Sequence, residues 1–237
     1  MKKIVLIMAV VCLMLAGCGE TNENIAADIE QPANSGIEVG SNEQGTSGNA
    51  EQEAPAAVVY PLPDTTMENL SDAILSVSLE EGGAYVDDTG KMQMEVKVFT
   101  YDRYDMVDIS ALKAGDTVVT HAGEVEVTDV QRGDSGTVYI NGGLDEGGFD
   151  LVTDESGVFY EVGFNDAKNW YEVGEATIRV SADFKGYDNS DLEQGEIIIY
   201  PGDFLIGAVA NYNFTPYNTT IRVEDGQIVE LNRMYTP

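Results

Sequence analysis

Positive charge is scarce in this chain. Twelve Lys and Arg residues stand against 42 Asp and Glu, a formal net charge of −30. No basic run interrupts the acidity, so the counterion-releasing patch that holds a phosphate backbone is missing and nucleic acid is excluded as a partner. Cysteine is almost absent: Cys12 sits inside an N-terminal apolar run and Cys18 just after it. A disulfide framework is therefore not expected, and any exported domain must be held by its core alone. A single histidine, His121, leaves no His and Cys cluster of the kind zinc sites use. Long apolar runs are missing beyond residue 16, and the first run, Ile4 to Ala16, has only 13 residues. A stable membrane span needs about 20.

What is present begins with an address. Lys2 and Lys3, the apolar run, and the small residues Ala16 and Gly17 are the charged, apolar and cleavage regions of an export signal. Leu15-Ala16-Gly17-Cys18 resembles the lipobox of bacterial lipoproteins. That resemblance implies cleavage after residue 17, acylation of Cys18 with palmitate-type chains, and residence on the extracytoplasmic face of the cell membrane. From residue 18 to 57 the composition turns to Glu, Asn, Gly, Ser, Gln and Ala, with eight acidic residues, no basic ones and no aromatic. This is the signature of a disordered, solvated tether. Taken as a flexible coil it reaches about 35 Å.

Residues 58–237 carry 34 acidic and 10 basic residues, so the acidity belongs to the folded part as well. Strand patterns dominate there. Met92, Met94, Val96 and Val98 alternate with polar residues, as do Val125 and Val127, and Ile178, Val180 and Ala182. This is the period of a half-buried strand. Ile221–Glu224 and Gln227–Leu231 flank Asp225-Gly226, a strong hairpin signal. Further runs lie at Leu75–Leu79, Thr117–Thr120, Thr137–Ile140, Val158–Val162 and Glu196–Tyr200. About ten short, mostly antiparallel strands predict a mainly β domain, a sandwich or small barrel. Helix is confined to one or two short pieces, at Asn165–Tyr171 and Asp203–Ala210. The stretch Leu112–Val119 resembles the opening of SH3-like barrels, which implies a small barrel near 96–165. Leu112 with Gly115-Asp116, Ile140–Gly143, Phe214–Thr220 and Met234–Pro237 together resemble a group of uncharacterised lipoproteins of Gram-positive anaerobes. That resemblance implies an envelope type and no activity.

Catalytic motifs are weak. Gly133-Asp134-Ser135-Gly136 resembles the nucleophile segment of chymotrypsin-type proteases, but it lies between two strand patterns and lacks the order of His and Asp partners that such a triad needs. Asp88-Thr89-Gly90 matches the aspartic-protease tripeptide, whose carboxylate works only beside a second one, and a hairpin turn explains it. His121 reads as a lone histidine at a strand end. Calcium, which takes six to eight oxygens, has candidate clusters at Asp102, Asp105 and Asp108, at Asp145, Glu146 and Asp150, and at Asp188, Asn189 and Asp191. None has the EF-hand spacing. The aromatics Trp170-Tyr171, Phe159-Tyr160 and Tyr212, Phe214, Tyr217 are either core or a stacking platform.

These features lead to an acidic, lipid-anchored β-domain that binds an envelope protein or glycan, with Trp170 and Tyr171 as the candidate ligand-binding residues. Two rivals stay open: an envelope hydrolase using paired carboxylates, and a purely structural lipoprotein.

Overall fold

The computed structural model describes residues 55–64, 66–163 and 167–236. The export signal, Cys18 and the tether through residue 54 lie outside them. The described chain opens with β1 (Val58–Val59), β2 (Ala73–Ser78), β3 (Ala84–Val86) and β4 (Met92–Thr100). A middle segment follows, with β5 (Arg103–Tyr104), α1 (Met106–Ala111), β6 (Thr117–Thr120), β7 (Gly123–Glu126), β8 (Val130–Arg132), β9 (Val138–Ile140), β10 (Phe149–Thr153) and β11 (Phe159–Val162). The chain then returns through β12 (Tyr171–Asn189), β13 (Ile197–Ile199), α2 (Pro201–Leu205), β14 (Thr219–Glu224) and β15 (Gln227–Met234). The fold is mainly β with two short helices, as expected, and has fifteen strands among the described residues.

Five of these strands close on themselves. β2 pairs antiparallel with β4, β4 with β12, β14 with β15 and β14 with β2, while β12 and β15 pair in parallel. Counting only these five in chain order, the circuit runs first, second, third, fifth, fourth and back to the first. This is a Greek-key barrel of the OB kind. The 19 residues of β12 make closure possible, because its first half lies on β4 and its second half on β15. At the β12 bulge between Glu172 and Gly174 the backbone of Gly174 takes φ +154°, and a Cβ there would press on the Met67 side chain. The Asp225-Gly226 hairpin takes positive φ at both residues, 48° and 69°, the turn whose twist matches its strands. Inward residues fill the barrel, among them Leu75, Val77, Met94, Val98, Ile221, Ile228 and Leu231, each at most 1% exposed. Phe204 of α2 packs edge-on to Phe184 and beside Phe214, extending that core. Short edge strands β3 and β13 flank the ladder.

The segment between β4 and β12 builds a second core. β5, β11, β10, β9 and β8 form one antiparallel sheet, and the β6–β7 hairpin takes β1 alongside in parallel. Tyr104, Ile109, Val118, Val127, Ile140 and Leu151 are its fully buried members. Asp116, in the Gly115-Asp116 turn ahead of β6, is buried because its carboxylate accepts the amides of Ala57 and Lys113 at 2.8 and 2.9 Å.

The expected turns are turns. Asp87 accepts the amides of Thr89 and Lys91, so Asp88-Thr89-Gly90 closes the β3–β4 hairpin. Gly133 donates its amide to Thr137, closing the loop that carries Ser135 between β8 and β9. Of the two expected helical pieces, Asp203–Ala210 overlaps α2, which runs over Pro201–Leu205. The described part of Asn165–Tyr171 is a bridge at Lys168 followed by the start of β12. Helix α1 is an addition: Asp105 accepts the Val107 amide at 2.7 Å and caps it.

Candidate functional site

The chain leaves the barrel at Tyr101–Arg103 and re-enters it at Asn169–Tyr171, and the two crossings lie side by side, with Tyr171 opposite Thr100. Extended backbone alternates its side chains. Asp102 and Tyr104 therefore turn inward and are buried, while Tyr101 and Arg103 stay half-buried on the other face. A carboxylate driven inward in this way must be met by donors.

Asp102, 3% exposed, has three. Its Oδ1 accepts the Tyr171 hydroxyl at 3.0 Å. Its Oδ2 accepts the His121 backbone amide at 2.7 Å and faces His121 Nδ1 at 3.0 Å. A carboxylate accepts only, so the imidazole carries its proton on Nδ1. His121 stands in the turn between β6 and β7, and its ring stacks on that of Tyr171 with centroids 4.1 Å apart and planes 12° off parallel. Burial pushes the Tyr171 hydroxyl above its ordinary range, and the Asp102 charge adds to the effect.

Glu161 of β11 completes the group. Its Oε1 accepts the Asn169 side chain at 2.7 Å. Burial raises its pKa, the Asn169 bond and the imidazole pull it down, and the Asp102 carboxylate pushes it up again. Asp102, His121 and Glu161 each offer one donor atom within 4.8 Å of the others, so this carboxylate and imidazole group has the composition and spacing to hold a metal ion. The Tyr104 hydroxyl, donating to the Val119 carbonyl at 3.0 Å, packs beneath it, and burial raises its pKa also.

On the outer side of the crossing the rings of Tyr101, Tyr160 and Trp170 meet. Tyr101 stands edge-on to Trp170 at 4.7 Å and to Tyr160 at 5.9 Å. The Lys168 ammonium lies 4.2, 5.3 and 5.9 Å from the Tyr101, Tyr160 and Trp170 centroids and donates to the Tyr101 hydroxyl at 2.8 Å. Three ring faces within about 6 Å of a cation are an aromatic cage. Beside it opens a cleft between the 61–68 segment and the crossing, lined by Asp64, Glu68, Thr100, Tyr101, Asp102 and Tyr171 among others. Asp64 is fixed there by the Thr100 hydroxyl and by Arg103.

Both aromatic residues singled out from the sequence thus lie at one place: Tyr171 against Asp102, His121 and the cleft, and Trp170 in the cage. The run Tyr212, Phe214 and Tyr217 divides, with Phe214 in the core, Tyr212 under the Arg233 guanidinium at 5.1 Å and Tyr217 exposed. The acidic triplets disperse into local roles. Asp105 caps α1, Asp150 accepts the Leu144 amide, Asp188 pairs with Arg233, and Asp191 accepts the Glu193 and Gln194 amides. Among the described residues only Asp102 of those triplets belongs to a group with metal-ligand spacing. Sequence reasoning missed Glu161 and left His121 alone, because their partners come from separate strands. The one available signal was the odd placement of Asp102 on the apolar phase of Asp102 and Tyr104.

Compared with protein-family models, with curated proteins and with solved structures, the chain matches none.

Proposed function

We propose that this chain is a lipoprotein of a bacterial envelope, anchored through Cys18 to the extracytoplasmic face of the cell membrane, and that its β-domain binds rather than catalyses. The observation that carries the reading is the cluster of Tyr101, Tyr160 and Trp170, held together by the protein's own Lys168 ammonium, next to a cleft lined by Asp64, Glu68 and Asp102. Beyond the Lys168 position the aromatic surface can take the C–H faces of sugars, while the cleft carboxylates accept from ammonium and hydroxyl groups. With a domain this acidic, anionic polymers are repelled and a ligand presenting amines or hydroxyls is favoured. An amine-bearing envelope glycan or protein segment fits that chemistry. The likeness of the sequence to lipoproteins of Gram-positive anaerobes agrees with such a setting.

The hydrolase reading needs two carboxylates facing one substrate. Asp64, Glu68 and Asp102 line the cleft, but Asp64 is tied to the Thr100 hydroxyl and to Arg103, and both oxygens of Asp102 already accept hydrogen bonds. Calcium has a place in this reading as a counter-ion for the exposed acidic loops. A thermal shift in calcium that exceeds those in magnesium and in sodium chloride at equal ionic strength would mark a specific site.

Trp170 is the sole tryptophan, so its fluorescence reports the cage alone. Saturable quenching by glucosamine oligomers, weaker with their N-acetylated forms, lost in Tyr101→Ala and accompanied by no released product, is the expected result. Turnover of the oligomer, or quenching indifferent to Tyr101→Ala, would overturn the reading. Membrane fractionation tests the anchor: Cys18→Ala should release the protein or leave it unprocessed.

A further inference from the structure

We infer that Asp102, His121 and Glu161 form a binding site for one transition-type divalent cation, zinc or manganese, that ties the middle segment to the barrel. The argument starts from charge. Asp102 is 3% exposed and Glu161 is half-buried, and among the described residues neither forms an ion pair with Lys or Arg. Two carboxylates held together away from water repel each other, and among the described residues the only basic side chain within ion-pair distance of either is the His121 imidazole, at Asp102. A divalent cation removes that repulsion.

The donor set selects the metal. One imidazole nitrogen and two carboxylates suit zinc or manganese, with open positions filled by water, whereas calcium wants six to eight oxygens. The spacing agrees as well. Nδ1 and Oδ2 are 3.0 Å apart, against about 3.3 Å for two donors on a tetrahedral ion at 2.0–2.1 Å. Binding replaces the Nδ1 hydrogen bond by bonds from Nδ1 and Oδ2 to the metal, and the imidazole stays neutral because its one proton leaves Nδ1 and Nε2 takes one up from solvent. Outer partners are already in place: Tyr171 holds Oδ1 of Asp102, Asn169 holds Oε1 of Glu161, and the Tyr171 ring fixes the plane of the imidazole. Such contacts orient metal ligands. The three ligands come from the first crossing, the β6–β7 turn and β11, so an ion there would join three separate pieces of the fold.

The test uses the full chain with Cys12→Ser and Cys18→Ser, which removes competing thiolates. Because His121 is the sole histidine, its imidazole nitrogen resonances read coordination directly without altering the site. Zinc chloride should shift the Nδ1 resonance to that of a metal-bound nitrogen, saturating at one equivalent. Calorimetric titration should then show zinc or manganese affinity falling at least tenfold in Glu161→Gln, a substitution that keeps an acceptor for Asn169, and calcium affinity unchanged in His121→Asn. An Nδ1 signal indifferent to zinc and manganese, or equal affinity in wild type and Glu161→Gln, would overturn the inference.

Discussion

Replacing Asp102 by Ala, in the presence of chelator, is the sharpest probe of how the two parts of the domain are held together. The carboxylate receives the His121 amide at 2.7 Å, His121 Nδ1 at 3.0 Å and the Tyr171 hydroxyl at 3.0 Å. The imidazole side chain is 27% exposed and can turn to water, so its bond counts for little. The other two are bonds to a charged acceptor, each worth about 1.5–3 kcal/mol. Against them stands the cost of keeping Asp102 ionised away from water, which the substitution removes. The net loss should be about 3 kcal/mol, or about 6–12 °C in Tm at about 2–4 °C per kcal/mol for a domain of this size. Asp102→Asn should cost only about 1 kcal/mol, since its carbonyl still accepts the His121 amide and its NH₂ can donate to the Tyr171 oxygen. Urea unfolding of Asp102→Ala, Tyr171→Phe and the double variant completes a cycle in which the coupling should be about 1–2 kcal/mol. A loss below about 1 kcal/mol for Asp102→Ala, or no coupling to Tyr171, would refute the argument that this carboxylate is a net tie.

Two other predictions concern the barrel. Asp188 takes the Arg233 guanidinium on both oxygens at 3.1 and 3.0 Å, and the Arg233 side chain is only 15% exposed. Asp188→Ala should therefore cost about 3–5 kcal/mol by stranding a buried cation, and Asp188→Leu with Arg233→Met should recover most of it; urea midpoints decide. On the surface, the Arg222 guanidinium holds the Glu230 carboxyl below its usual range. A depressed acid stabilises the fold above its unfolded pKa and loses that contribution as pH falls through the folded one. Glu230→Gln should thus lower stability at neutral pH by less than about 1 kcal/mol, because the pair is only half-buried and solvent screens it, and the difference should vanish at the acid end of a melting series.

How far the sequence could be read depends on the range of the interaction concerned. Ten runs with a period of two became β2, β4, β6, β7, β9, β11, β12, β13, β14 and β15, because alternation is a local consequence of one face meeting a core. The five strands it did not reveal are β1, β3, β5, β8 and β10, and the first four have two or three residues each. A pattern that short has no period. Asp225-Gly226, Gly115-Asp116 and Asp88-Thr89-Gly90 were legible as turns, since backbone sterics and nearby carboxylate acceptors act within four residues. Helix α1 was hidden for the opposite reason: the acidic residues 102, 105 and 108 suggested an oxygen cluster, whereas Asp105 alone serves as its cap.

By itself the sequence determined the class of fold, most of its strands and turns, and the acidity of its surface, all of which follow from composition and from contacts between near neighbours. Only the tertiary structure decided that five strands close into a barrel, that the chain between β4 and β12 forms a second core, and that Asp102, His121 and Glu161 meet where the two are joined. Tyr101, Tyr160, Lys168 and Trp170 are likewise brought together from both sides of that join. Pairing along β12 with two different partners, and the inward turn of a charged residue, are set by what lies across the core, and no local pattern carries that information.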